Sequence, residues 1–248
     1  MSSHPIYWVG CKQFLLILYT SQPNKLGDYI RQKMDKKKLA TVFDTVSSDP
    51  NHTPRLAPKT RADLNEAQQE IWDYITSSER GVGTMSNGAL PGPFNAWFYV
   101  SPEMCKALEN IGNSINTLTE KLSNRAKEIA TCQVAAHAKC NLAFWAHARK
   151  GQLRFGIEKE IFDAMQNYQH PPFGEDEQGK KDATIYKFTQ EYLQLNKVSD
   201  KLYAAALDAL GSEQAMVELT LVIGHYSNLA AQLNILRIPA PGTEQPFG

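Results

Sequence analysis

Three residues of this chain carry chemistry at close spacing. Glu128, Cys140 and His147 put a carboxylate, a thiol and an imidazole within twenty positions. An imidazole near its ordinary pKa moves protons at neutral pH, a thiolate attacks electrophilic centres, and a carboxylate can orient or relay for either. Each also has a plain structural account. A cysteine on an apolar helix face is a small buried hydrophobe, a histidine can be tied to backbone, and Glu128 could be a solvated carboxylate beside Arg125 and Lys127. The surrounding KEIATCQVAAHAKCNLAFWAHARKGQ lacks proline and is rich in helix formers, which predicts one continuous helix closed by Gly151 after Arg149 and Lys150. On such a helix His137, Cys140, Phe144 and His147 share a stripe, whereas Glu128 lies off it and needs a bend or a second helix to join them. His137, Cys140 and His147 offer donor types for a metal, but their spacing is not that of helical ligand pairs, so no metal site is expected.

The order Glu128, eleven residues, Cys140, two residues, position 143, three residues, His147 resembles the active-site layout of alkylhydroperoxidase D, in the carboxymuconolactone decarboxylase superfamily. Ala143 stands where that layout has a second cysteine. Pro91-Gly92-Pro93-Phe94, Ser101-Pro102-Glu103, Phe144-Trp145-Ala146-His147 and Gly224-His225-Tyr226 agree with it, and the likeness covers roughly residues 55 to 240. It implies an all-α fold, a compact helical bundle of the alkylhydroperoxidase D-like type. It also implies a homo-oligomer, commonly a trimer or hexamer.

The missing cysteine separates two chemistries. A dithiol reductant needs two sulfurs close enough to form a disulfide, and on one helix Cys132 would lie about 12 Å from Cys140 along the axis. The resemblance then implies the proton-transfer branch, in which an unsaturated lactone acid loses carbon dioxide and the resulting enolate takes up a proton. In that reading His147 is the proton donor or oxyanion partner, Glu128 orients it, and Cys140 lines the pocket. No metal or organic cofactor is implied, because the substrate carries its own electron sink. Two other functions stay open: a thiol-dependent hydroperoxide reductase using Cys140, and a non-catalytic helical partner protein.

Phe94, Trp97, Trp145, His225 and Tyr226 are candidates to wall a pocket for a small, flat, unsaturated substrate. Tyr226 falls on an apolar stripe with Met216, Leu219, Ile223, Ala230 and Leu233. Arg125, Lys139, Arg149 and Arg154 are near enough in sequence to offer a carboxylate clamp.

With 248 residues, of which 42% are hydrophobic and 21% charged, the chain can build one substantial core. Its four cysteines, Cys11, Cys105, Cys132 and Cys140, have neither zinc-type nor disulfide-rich spacing, which favours free thiols and a cytoplasmic location. Ile6 to Tyr19 is apolar but is interrupted by Lys12 and lacks the flanks of a signal peptide. It is also too short to span a bilayer, so no membrane association is expected. Residues 1 to 61 carry ten Lys or Arg against four Asp or Glu, centred on Lys33 to Lys38. Without interleaved aromatics this cluster reads as a solvated helix face, not a nucleic-acid site.

The expected organisation is a partly helical basic extension over 1–54 and an all-α domain over 55–248, with about seven or eight helices and no useful β alternation. Asp63 to Ser78 is amphipathic through Leu64, Ala67, Ile71, Tyr74 and Ile75. Arg80 to Pro93 is a Gly- and Pro-rich loop suited to a pocket rim. Ser101 caps a helix that Gly112 or Asn113-Ser114 stops or bends, residues 170–182 form a loop, Ser199 starts a helix that Gly211 ends, and Ser212 caps the last one.

Overall fold

A computed structural model describes residues 53–77, 81–85, 87–240 and 245–248. Most of the basic extension, Ile6 to Tyr19, the Lys33 to Lys38 cluster, Cys11 and Arg80 therefore lie outside the described residues. Among those described, the chain is all-α. Nine helices run as α1 (Glu66–Thr76), α2 (Pro93–Trp97), α3 (Pro102–Thr117), α4 (Asn124–His137), α5 (Asn141–Phe155), α6 (Lys159–Gln166), α7 (Glu177–Leu195), α8 (Asp200–Leu210) and α9 (Glu213–Ile235). The only extended pairing among them is an isolated bridge between Thr60 and Ala89.

Helix starts follow short polar side chains that accept an otherwise unpaired N–H. Asn65, Ser101, Ser123, Asp176 and Ser212 each do so, so α7 begins inside the stretch expected to be loop. Gly211, at φ 75°, ends α8 as expected.

Helix α4 is the axis of the fold. Every residue from Ala126 to Ala136 is buried, and α5, α6, α7 and α9 pack around it, which is why its apolar residues show no single face. A second apolar cluster joins Leu64, Ile71, Trp72, Ile75, Leu90, Trp97, Phe98 and Cys105. The Trp97 indole N–H reaches from it to Gln232 Oε1 on α9 at 2.9 Å.

Three sequence expectations fail here. The predicted continuous helix is two helices, which helps bring the total to nine. After His137 the chain makes a Schellman turn: Cys140 N–H donates to Ala135 O at 2.8 Å and Lys139 N–H to Ala136 O at 3.1 Å. Lys139 occupies the left-handed position, φ 51°, where glycine is usual, so no glycine marked the break. Because of that turn, His137 and His147 share no stripe, and the single-helix separation of Cys132 and Cys140 does not apply. Gly151 does not close α5. That helix runs on to Phe155, and Gly156 ends it at φ 63°. A Cβ at Gly151 would come within 2.6 Å of the buried Phe162 ring, so this glycine serves the contact between α5 and α6. Gly112 is likewise interior to α3, which continues to Thr117.

A left-handed conformation costs a non-glycine residue about 1–2 kcal/mol, partly offset by the greater backbone entropy glycine loses on folding. Lys139→Gly is therefore expected to raise stability by up to about 1 kcal/mol, read as a higher urea midpoint at unchanged slope. A lower midpoint would show that the turn is not the one described.

Candidate functional site

The α4–α5 hairpin solves the problem posed by Glu128. With the helices folded back on each other, the carboxylate on α4 meets two side chains of α5 that are three residues apart. His147 Nδ1 lies 2.6 Å from Glu128 Oε2, and Lys150 Nζ lies 2.7 Å from Oε1. The Glu128 side chain is 0% exposed. Burial pushes its pKa up, but Lys150 and His147 together outweigh that and bring it down to about 2. An ionised carboxylate only accepts hydrogen bonds, so Nδ1 of His147 carries the proton. Nε2 is left as the nitrogen able to exchange a proton with a bound molecule.

Lys150 and Asn116 were not singled out from the sequence as site residues. Lys150 Nζ also donates to Asn116 Oδ1 at 3.2 Å, and Asn116 Nδ2 donates to Gly112 O at 2.9 Å. Buried Lys127 Nζ donates to the carbonyls of Ile115 and Asn116, each at 3.2 Å, at the end of α3. Burial, then the nearby Lys150 charge, lowers the Lys127 pKa. The i, i+3 relation of His147 to Lys150 was the one available signal, since it puts both on the same side of a helix. Nothing in sequence spacing points to Asn116.

His147 opens on a cavity of about 170 Å³. Pro91 and Gly92, Phe94 and Trp97 of α2, Gly112 and Asn116 of α3, Ala143 and Ala146 of α5, and His225 and Tyr226 of α9 are among its walls. Four of the five aromatic candidates, Phe94, Trp97, His225 and Tyr226, thus surround it. The His147 and Tyr226 rings meet edge to face at 4.6 Å between centroids. Burial, then His147, lowers the His225 pKa, so that ring is neutral at neutral pH and can donate one N–H. Gly112 packs beneath these rings, and a Cβ there would meet His225 and Trp97 at an ordinary contact distance of 3.7 Å.

Other candidates fall elsewhere. Cys140 is buried just before α5 and is not part of the cavity wall, against the expectation that it lines the pocket. Burial raises its thiol to about 11, with the Ala143 and Leu142 amides opposing only in part. Position 143 does line the cavity, one turn before His147, so alanine there leaves the wall without a thiol. Trp145 lines a separate surface depression with Arg149, whose guanidinium sits 5.0 Å from its ring. His137 is exposed at the end of α4. Among the clamp candidates, Arg125 pairs with Asp182 and Glu158, Lys139 faces Tyr168, and neither Arg149 nor Arg154 reaches the cavity. No group of three or more His, Cys, Asp or Glu is placed to hold a metal among the described residues, and no helix there is long and apolar enough to cross a membrane.

Because folding lowers the Glu128 pKa from 4.5 to about 2, its stabilising contribution is full above the unfolded value and fades as pH falls through the folded one. Glu128→Gln is expected to lose about 3 kcal/mol near neutral pH, with the gap to wild type closing between about pH 5 and pH 2. Urea unfolding across that range measures it. Equal stability at pH 7 would mean the buried pair adds nothing.

No protein-family model and no curated protein matches this sequence. Solved structures do match the fold. An uncharacterized peroxidase-related protein from Silicibacter sp. TM1040 is 14% identical, with a TM-score of 0.58 over 82% of this chain and 94% of that one. The alkylhydroperoxidase AhpD core of an uncharacterized peroxidase-related protein from Ralstonia eutropha JMP134 is 12% identical, with a TM-score of 0.60 over 77% and 93%. The chain therefore has the alkylhydroperoxidase D-like fold, the fold of the superfamily that the layout around Glu128 and His147 resembles.

Proposed function

We propose that this protein is a cofactor-independent lyase of the carboxymuconolactone decarboxylase type, moving a proton between His147 and a small unsaturated lactone or carboxylic acid. The observation that carries this reading is the 2.6 Å contact from a fully buried, ionised Glu128 to Nδ1 of a histidine that faces a cavity. Such a contact fixes ring orientation and tautomer, so that Nε2 is the nitrogen able to exchange a proton with a bound molecule.

In the decarboxylation, the bond from the substrate carbon to its carboxylate breaks and carbon dioxide leaves. The electron pair spreads onto the conjugated carbonyl as an enolate. The neutral His225 ring donates its N–H to that oxygen, and protonated His147 delivers the Nε2 proton to carbon, to be recharged from solvent. A mainly apolar wall assists, because a carboxylate loses more on leaving water than the delocalised enolate-like transition state does. The cavity walls hold no Lys or Arg among the described residues, which favours substrates of low charge. The reaction calls for no metal or organic cofactor, since the carbonyl accepts the electrons.

The raised pKa of Cys140 and its place outside the cavity weigh against the hydroperoxide reductase alternative. The protein is further proposed to be a cytoplasmic homo-oligomer. Free, buried Cys105, Cys132 and Cys140 suit a reducing interior, and Met104, Ile111 and Leu118 leave an exposed apolar row along α3.

The first assay is carbon dioxide release, with deuterium uptake at carbon in D₂O, on γ-carboxymuconolactone and on less charged carboxybutenolides. His147→Ala is expected to lose about 10²–10⁴-fold in turnover, whereas Cys140→Ala retains most of it. Loss with Cys140→Ala and retention with His147→Ala would move the chemistry to sulfur. Sedimentation velocity tests the assembly, and a single species of 27.8 kDa would refute it.

A further inference from the structure

A second cavity, about 390 Å³ and more than twice the size of the His147 chamber, adjoins it. Pro91, Gly92 and Leu142 line both, so the two are separated by little more than the Pro91–Gly92 backbone and one leucine side chain. Gly92 keeps this divide thin. Its φ of 61° favours glycine, and a Cβ there would sit in van der Waals contact, 3.5 Å from Leu142 Cδ2.

The larger chamber is built of hydrocarbon. Leu56, Met85, Leu90, Leu236 and Ile238 contribute to it, and no charged side chain does among the described residues. Its amide oxygens are already engaged. Asn95 Oδ1 accepts from Lys59 N–H and its Nδ2 donates to Lys59 O, at 3.2 and 2.9 Å, while Asn87 Oδ1 accepts from Ala89 N–H at 3.0 Å. A polar group placed there would lose its water without gaining a partner, at a cost of kcal/mol order. The His147 chamber is smaller and has His147, His225, Asn116 and Tyr226 among its walls.

We infer that the two cavities form one bipartite site, and that the substrate has a compact unsaturated carbonyl head for the His147 chamber and an extended apolar tail for the chamber beyond Gly92 and Leu142. This assignment rests on the proposed function for its head group alone, and it narrows the substrate class to alkyl- or prenyl-substituted lactones and acids. Specificity for the tail then lies in residues remote from the proton transfer.

A series of γ-alkyl butenolides, from methyl to decyl, tests it on the full-length protein by calorimetry. Each added methylene that enters the chamber should tighten binding about threefold to fourfold, until the cavity is full. Ala96, whose side chain lines only the larger chamber, is the place to block it. Ala96→Phe should leave binding of the methyl compound unchanged and remove the gain for long chains, while His147→Ala should keep the gain. Circular dichroism and urea unfolding of Ala96→Phe check that the fold survives, and Met85→Trp supplies a second block from the opposite loop. Chain-length gains without carbon dioxide release in the decarboxylation assay would uphold the bipartite site and refute the catalytic reading; carbon dioxide release without such gains would do the opposite. Affinity that ignores chain length, or gains that survive both blocking variants, would overturn the inference.

Discussion

A carboxylate with no access to water sets the terms for the rest of this structure. Glu128 sits in the middle of the most buried helix, where an unpaired charge would cost several kcal/mol. It is tolerable only because His147 and Lys150 approach its two oxygens from one face of the next helix. Their pairing fixes the register of α4 against α5. The same contact that meets the electrostatic demand orients an imidazole that lines the cavity, so the fold's most costly buried charge and its candidate proton carrier are held by a single arrangement.

How much of this was legible in the sequence depends on the kind of signal. Caps such as Ser101 and Ser212 act within one turn, so their residue types sufficed. Glu128 and His147 were found by spacing, and the need for a second helix to join them followed from period alone. The break itself was hidden. A Schellman turn is normally announced by glycine, whereas Lys139 adopts the left-handed conformation under tertiary constraint. Gly151 misled for the complementary reason: it was read as a local stop, yet it is glycine because Phe162 arrives from α6. Asn116 and Lys150 join the site through contacts across helices, which no local pattern encodes.

The division between thiol and imidazole chemistry also follows from placement. Position 143 borders the cavity and position 140 does not, so of the two sulfur positions in the resembled layout, the one retained is the one withdrawn from bound molecules. Burial then keeps Cys140 protonated at neutral pH, removing the thiolate on which attack depends. Glu128 and His147 need no second sulfur for proton transfer. An alkylhydroperoxidase D-like scaffold with alanine at position 143 thus keeps the buried Glu128–His147 contact beside the cavity without a second sulfur there.

What such a pair can act on is governed by the space around it. A histidine and a buried carboxylate select for a transferable proton and say little about the rest of a molecule. Selection falls to Gly92, Leu142 and the apolar walls on either side. Gly92 is constrained by its positive φ, so this boundary cannot take a side chain without strain in the backbone, and a Cβ there would meet Leu142 at van der Waals distance. The reactive end is held by charge and the outer end is shaped by the absence of charge. A molecule satisfying the proposed bipartite site is amphipathic, with its unsaturated carbonyl at one end and hydrocarbon at the other.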